Sequence, residues 1–425
     1  MKMKIVYLHQ YFNTPEMTGG TRSYEMAKRM VAAGHEVHIV TSSTDGRMPA
    51  GQWTRDRIDG IHVHWLPVSY DNTMGYMRRL ISFTQFARQA GRYAAAAIDA
   101  DIVFATSTPL TIAFPAVKVS RSQKIPMVFE VRDLWPEVPI AMGALNFPFA
   151  KTLAKRLEKW AYDNAKHVVG LSPGMCDGVA RTGYPRDRIH CIPNSSDIDL
   201  FNVPESEGIA FRAKRDWLES RPLVLYAGTF GKVNGVGYLV EVAAAMSQID
   251  PEVRFLAVGR GLEVQSVRER ARSLGVLERN FFIEDAVPKA EMPALLSAAT
   301  VSLSLVIPLK ELWDNSANKF FDTLAAGRPI AVNHGGWQAE LIRNTGIGIV
   351  LDHADPAAAA NSLHAFLDDS TALKNARQAS ASLARERFSR NKLATELINV
   401  LEEAYLDGHS SKDRLASERV RGEDK

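Results

Sequence analysis

At 425 residues the chain is long enough for two domains of ordinary size, each with its own core. Its 46% apolar and 23% charged residues are those of a globular protein in water, and a net charge of +3 without a basic stripe gives no reason to expect a nucleic-acid partner. Two cysteines, Cys176 and Cys191, are too few for a disulfide framework and sit in no metal-type spacing, so reduced thiols in a cytoplasmic protein are expected.

The opening MKMKIVYLHQYF moves straight into a strand, without the apolar core and small-residue cleavage site of a secretory leader. No run approaches the ~18 uninterrupted apolar residues that a spanning helix needs. Candidate strands follow at KIVYLH (4–9), HEVHIVTSS (35–43), IHVHWLP (61–67), DIVFATS (101–107), PMVFEV (126–131), HVVGLS (167–172) and HCIPNS (190–195). Between the first two, GTRSYEMAKRMVAAGH places Met26, Met30 and Val31 at helical spacing and stops at Gly34. Strands apolar on both faces, alternating with helices, predict a parallel doubly wound α/β domain over 1–195. The stretch 196–220 is polar, without strand character apart from a short helix near Phe211–Leu218, and reads as a linker. The pattern restarts with LVLYAG (223–228), VRFLAVG (253–259), NFFIED (280–285), VSLSLV (301–306), PIAVN (329–333) and IGIVLD (347–352), which predicts a second domain of the same kind over 221–385. A helix over 386–408 is expected to pack back on the first domain, and the charged tail 409–425 is expected to be disordered.

Both domains place glycines after strands. Gly19 and Gly20 stand at the mouth of the first helix, where bare amides attract phosphate and glycine lets it approach; an ordinary helix-entry loop is the alternative. The G-x-G-x-x-G fingerprint is absent there, and GTFGKV lacks the spacing and the hydroxyl residue of a P-loop, which disfavours nicotinamide and P-loop chemistry. In the second domain Gly228 ends a strand and Lys232 lies in a glycine-spaced loop before a helix, a phosphate contact or simply a solvated lysine. Further on, DNSANKFFDTLAAGRPIAVNH (314–334) sets Asp314 and Asp322 eight positions apart across a helix entrance. Ser316 or Asp314 can cap a helix beginning near Ala317, with Phe320, Phe321 and Leu324 on its buried side and Asn318 and Asp322 sharing the other. A diphosphate can then meet the amides of 316–319 beside Lys319, with Asp322 one turn further in on ribose hydroxyls and Asp314 on a sugar beyond. Acids that merely complement the helix dipole are the plain alternative.

Taken together, the Gly19-Gly20 loop, VVGLSPGM (168–175), IPNSSDIDLF (192–201), LYAGTFGKVNG (225–235), GRGLE (259–263), FIEDAVPKAEMPALLSAATVSLSL (282–305) and NKFFDTLAAGRPIAVNHGGWQAELI (318–342) resemble a retaining glycosyltransferase of family 4, up to about residue 405. The resemblance implies the GT-B architecture, two Rossmann-like doubly wound parallel-sheet domains facing across a cleft that holds the diphosphate of a sugar nucleotide. By it, Lys232 meets the diphosphate, while Thr229 and Asn234 stand where positive charges are often found. The family's two glutamates, with seven residues between them, read here as Asp314, facing the donor sugar, and Asp322, holding the ribose. Ile283 and Val287 wall the nucleobase. Many members carry a histidine after the fifth strand; here VFEVRDLWPEVP puts Arg132 and Asp133 there, to orient the acceptor or to form a structural ion pair, with Trp135-Pro136 otherwise a core turn. RDLWPE with NKFFDTLAAGRP resembles the branch that transfers N-acetylated deoxyamino sugars in bacterial O-antigen and capsule assembly.

The expected activity is therefore transfer from a UDP-linked sugar to a glycan or polyprenyl-diphosphate-linked acceptor, with Lys319, Lys232, the helix amides and the Gly19-Gly20 amides neutralising the leaving β-phosphate. No cofactor and no metal are expected, since no Asp-x-Asp is presented after a strand and DIDL (197–200) lies in the linker. The segment 72–97 interleaves Met74, Met77, Leu80, Ile81 and Phe86 with Arg78, Arg79, Arg88 and Arg92, which suits either an anionic membrane surface or a helix on the domain edge. Two other readings are a UDP-N-acetylglucosamine 2-epimerase-like enzyme, which needs no acceptor, and a sugar-nucleotide sensor without turnover.

Overall fold

The computed structural model describes residues 1–17, 19–43, 52–68, 76–143 and 145–423, with the backbone alone at 67, 76, 77 and 409–423. The chain divides into two units, Met1–Pro193 with Leu393–Lys425, and Asn194–Lys392.

In the first unit the strands are β1 (Lys4–Leu8), β2 (Glu36–Ser43), β3 (Thr54–Ile58), β4 (Ile61–Pro67), β5 (Ile102–Thr106), β6 (Met127–Val131), β7 (His167–Gly170) and β8 (Ile189–Cys191). They form one sheet in the order β3-β4-β2-β1-β5-β6-β7-β8, parallel throughout except for β3 against β4. Positive φ at Asp59 and Gly60 closes that edge hairpin, a strand that the apolar pattern does not announce because Arg55, Asp56 and Arg57 are all exposed. Strands β5 and β6 are buried along their whole length, as helices on both faces require. Helix Tyr76–Ala97 meets helix Ala113–Gln123 where Gly91 lies; a Cβ at Gly91 would come within 3.0 Å of Pro115 Cα. Arg22, the first residue of helix Arg22–Ala32, is buried and ties that helix to the sheet. Its Nη2 donates to Glu130 Oε1 at 2.8 Å, its Nη1 to the carbonyl of Pro193 at 2.8 Å, and Glu130 Oε2 accepts from Thr106 Oγ1 at 2.7 Å. Burial pushes the Glu130 carboxyl up, but Arg22, Thr106 and Arg132 outweigh it and hold the group below its usual range.

The second unit contains β9 (Leu223–Ala227), β10 (Arg254–Val258), β11 (Phe281–Glu284), β12 (Val301–Ser304), β13 (Ile330–Val332) and β14 (Gly348–Val350), all parallel, in the order β11-β10-β9-β12-β13-β14. This is the doubly wound order in which the chain reverses direction between its first and fourth strands, here β9 and β12.

The stretch 196–220 is not a linker. It folds as helices Ile198–Phe201 and Glu205–Ala213, and it covers one face of the second sheet. Phe201 and Leu218 are buried with Leu225, Leu256 and Leu295, and Trp217 stacks on Phe282 at 3.7 Å between ring centres. Gly208 sits so close to the helix Met292–Ala298 that a Cβ would meet the Ser297 carbonyl at 2.6 Å. At the other end, helix Arg390–Glu423 runs through most of the tail expected to be disordered, because Lys, Arg, Glu, Leu and Ala are good helix formers even where nothing apolar is repeated. Residues 424–425 lie outside the described residues.

Phe201→Ala tests the placement of this segment. Truncating an aromatic ring buried in a core is expected to destabilise the second unit by about 3–5 kcal/mol in urea unfolding of the full chain. A change within about 0.5 kcal/mol, as for an exposed position, would return the segment to a linker.

Candidate functional site

The carboxyl ends of β9 and β12 are where a doubly wound sheet opens for a ligand. Gly228 leaves β9 by donating its amide to Val258 O at 2.9 Å, and the next strand's Gly259, with φ +157, has its Cβ position only 1.8 Å from Gly228 O. A side chain at 259 would close this turn. Over Gly228 lies Lys319: its Nζ is 3.0 Å from where a Gly228 Cβ would stand, and it donates to Tyr226 Oη at 3.2 Å while sitting 4.5 Å from the Tyr226 ring centre. Tyr226 in turn donates to the carbonyl of Thr229 at 2.7 Å. Among the described residues no carboxylate pairs with Lys319. The stem of this lysine is half-buried and its ammonium is set into the protein, and that desolvation lowers its pKa from 10.5 to about 8.

Lys319 is on the first turn of helix Asn318–Ala325, whose buried side is Phe320, Phe321 and Leu324. The expected cap does not form. The N-cap is Ala317, without a side-chain bond, because Ser316 is turned away: its Oγ accepts from Asn194 N at 3.0 Å and its carbonyl accepts from Asn194 Nδ2. Asp314 is half-buried in the preceding loop and does not cap either. That loop is fastened by Trp337, which donates from Nε1 to Asn315 O at 2.9 Å, and by Trp313 packed against Gly335 and Gly336. The first amides of the helix, at Asn318 and Lys319, thus have no side chain over them.

One turn on, Asp322 accepts from Ser196 Oγ at 2.7 Å. Burial raises its pKa from 3.8 to about 6, against the Ser196 bond and the charge of Arg390. Ser196 is itself fixed, since its carbonyl accepts from Arg390 N at 3.1 Å and Arg390 forms an ion pair with Asp197. Ile283 and Val287 are half-buried on and just after the edge strand β11, packed against core residues. Thr229 and Lys232 are exposed. Lys232 lines a cavity of about 410 Å³ with Tyr238, Glu263, Arg270, Ile307 and Asn333, whose walls include neither Gly228, Lys319 nor Asp322.

The first unit has its own polar gathering, at the ends of β1, β5 and β6. Arg132 donates its amide to Ser107 Oγ at 2.9 Å and its Nη1 to His9 Nε2 at 3.2 Å. Burial and then Arg132 hold the His9 imidazole well below its usual range, so His9 is neutral and accepts at Nε2, while Nδ1 has no hydrogen-bond partner. Asp133 is exposed and accepts from Thr108 Oγ1 at 3.0 Å. Arg132 and Asp133 therefore do not pair with each other. Trp135 packs on the first core and Pro136 precedes the short helix Glu137–Ala141. Gly19 has φ +137 and its Cβ position is 2.6 Å from Asn13 Nδ2, so this bend demands glycine; Gly20 follows it, half-buried, and Thr18 lies outside the described residues. Ser196, Tyr226 and His9 escape a reading of the sequence, although a histidine closing the apolar run KIVYLH is a visible signal.

Residues 18–195 match the model of the glycosyl transferase 4-like domain, and residues 209–385 match that of glycosyl transferases group 1. The chain belongs to the family 4 glycosyltransferases. This glycosyltransferase is 22% identical over 283 residues to the glycosyl transferase WcaI of Escherichia coli K12, named for colanic acid biosynthesis, across 63% of this chain and 69% of that one. It is 29% identical over 242 residues to a D-inositol 3-phosphate glycosyltransferase of Xylanimonas cellulosilytica, across 54% of each chain. The chain thus spans little more than half to about two thirds of these relatives' length. Among solved structures, HepE of Anabaena in complex with UDP-glucose superposes with a TM-score of 0.70 at 16% identity, over 94% of this chain and 100% of that one, and shares the fold.

The desolvation of Lys319 is directly measurable. An NMR titration of its side chain, assigned by the signal lost in Lys319→Arg, is expected to give a pKa of about 8, so that the group is charged below that pH and neutral above it. An ordinary value of about 10.4 would mean that the ammonium is hydrated.

Proposed function

We propose that this glycosyltransferase takes its sugar from a UDP-linked donor, retains the configuration of the anomeric carbon, and passes an N-acetylated amino or deoxyamino sugar to a glycan or polyprenyl-diphosphate-linked acceptor in bacterial surface-polysaccharide assembly. One observation carries the donor half of this reading: the ammonium of Lys319, partly desolvated and without an acid, beside a helix start that no side chain caps. Such a group is stabilised by a phosphate, and most by one gaining charge as it leaves. The relative bound to UDP-glucose supports a UDP-linked donor, and the relative named for colanic acid supports a polysaccharide product.

In this reading the β-phosphate lies against the amides of Asn318 and Lys319 and the Lys319 ammonium, with Gly228 leaving room for it and Lys232 adding charge from its loop. The first-domain amides of Gly19 and Gly20 contribute in the same sense. Asp322, oriented by Ser196, accepts from the ribose hydroxyls; Ile283 and Val287 wall the base, and Asp314 contacts the donor sugar. Arg132, held by His9, and Asp133 orient the acceptor. The acceptor oxygen attacks the anomeric carbon on the face from which the phosphate departs, and the leaving phosphate oxygen takes the acceptor's proton, so no enzymic nucleophile, metal or cofactor enters.

Among the described residues no helix is long and apolar enough to cross a membrane. A peripheral seat on an anionic inner leaflet is supported by helix Tyr76–Ala97, where Leu80 and Ile81 are exposed beside Arg78 while Phe86, Ala90 and Ala94 are buried. Residues 72–75 lie outside the described residues. Phe147 and Phe149, 77% and 80% exposed, stand with Lys151 and Lys155 at the start of helix Pro148–Asp163 and add to the same reading.

Calorimetry with UDP-sugars checks the donor site. Lys319→Met and Asp322→Ala are each expected to weaken binding by about tenfold to a hundredfold, the worth of a charged hydrogen bond, whereas Asp133→Ala lowers turnover with binding nearly intact. In the unaltered protein the affinity falls as pH rises through about 8, where Lys319 loses its proton, and as it drops through about 6, where Asp322 gains one. Full binding in both variants would remove the site, and an epimerised UDP-sugar formed without acceptor would overturn transfer. For the membrane, flotation with liposomes containing anionic lipid is expected to be lost in an Arg78→Glu, Arg79→Glu double variant; unaltered flotation ends that idea.

A further inference from the structure

Away from the carboxyl ends of the first sheet, β7 begins with His167 and the neighbouring β8 carries His190. Their rings meet edge on edge, His167 Nδ1 lying 2.8 Å from His190 Nε2. His167 is buried and its second nitrogen, Nε2, makes no hydrogen bond; it lies 3.7 Å from Asp407 Oδ2. Glu403, four residues before Asp407 on helix Arg390–Glu423, completes the group, and one ligand atom from each of His167, His190 and Glu403 lies within 4.8 Å of the other two. We propose that these three residues bind a divalent ion of the zinc class, which fastens the terminal helix to β7 and β8.

The donor set decides the ion. Two imidazoles with a carboxylate suit zinc and its neighbours, whereas magnesium and calcium take oxygen alone. Around tetrahedral zinc, ligands at about 2.0–2.1 Å stand about 3.3 Å apart. The two ring nitrogens at 2.8 Å need to part by only a few tenths of an ångström, the ion replacing the proton they now share. With the ion on Nδ1, His167 is left with an Nε2–H facing Asp407, and a carboxylate behind a ligand imidazole fixes its tautomer and raises its basicity. The same unit holds a second cluster, Glu36, His38 and His62. There Glu36 already has Lys4 Nζ at 3.5 Å and His38 Nε2 at 2.8 Å, and the lysine opposes a cation.

The untagged full-length protein, stripped with chelator and titrated with zinc by calorimetry, tests this. One ion per chain is expected, with a rise in melting temperature on adding zinc that chelator reverses. His190→Asn and Glu403→Gln, both at positions open enough to keep the fold, are each expected to weaken binding about tenfold or more, while His62→Asn leaves it unchanged. Cobalt added in place of zinc should give the visible absorption of a four-coordinate site in the unaltered chain and lose it in Glu403→Gln. Absence of saturable zinc binding, binding in His190→Asn and Glu403→Gln as tight as in the unaltered chain, or loss only in His62→Asn, which puts the ion at the other cluster, would each overturn the proposal.

Discussion

Parallel strand pairing is the constraint on which everything else in this chain rests. Each sheet, apart from the hairpin strand β3, sends every strand in one direction, so every following turn emerges at the same edge. With helices on both faces, the strand interiors are filled mainly by apolar side chains, Glu130 and Thr106 being satisfied exceptions, and other polar groups collect where the strands end. His9 follows β1, Ser107 follows β5, Arg132 follows β6, and Gly228 follows β9. Within each sheet, residues far apart in the chain are thereby brought to one edge without any local sequence rule relating them.

Two cations drawn into the protein, Arg22 and Lys319, contrast in how their charge is met. Arg22 is satisfied on every side: Glu130 takes two of its donors, the carbonyls of Ile192 and Pro193 take others, and Thr106 completes the carboxylate. A charge so enclosed has nothing left to offer a ligand, and removing either partner would strand the other. Lys319 is the reverse case. A single neutral hydroxyl and the face of the same ring are its company, and burial has shifted its pKa instead of a carboxylate answering it. An ammonium held in that state is the kind of group that perturbed-pKa arguments associate with binding or catalysis.

Much of this organisation can be read from the residues alone. Apolar β-branched runs bounded by glycine mark most of the strands, and the spacing of Phe320, Phe321 and Leu324 marks the helix that carries Lys319 and Asp322. What escapes has physical causes. The strand β3 is charged because an exposed edge strand has no face to bury. The segment 196–220 reads as a linker because Phe201, Trp217 and Leu218 are too few and too widely spaced to show a period, although each finds a place in the second core. Ser196 and Asp322 are 126 positions apart, and Asn194 and Ser316 are 122 apart. Local pattern names one member of each pair and is silent about the other.

The fate of Ser316 bears on why the helix entrance is chemically open. Asn-Ser-Ala-Asn before a helix offers several residues able to cap it, and a cap is worth about 1 kcal/mol. Asn194 instead engages both the hydroxyl and the carbonyl of Ser316, which leaves alanine at the cap position. No acid stands in the first turn, so nothing within the helix neutralises the positive end of its dipole. Asp322 comes one turn later and is spoken for by Ser196, which argues against its serving merely as a dipole partner. Bare amides first, an ammonium met by a tyrosine and, among the described residues, by no carboxylate, and a carboxylate one turn beyond form an ordered series along the helix. That is the order in which a nucleoside diphosphate presents its own groups, phosphate and then ribose.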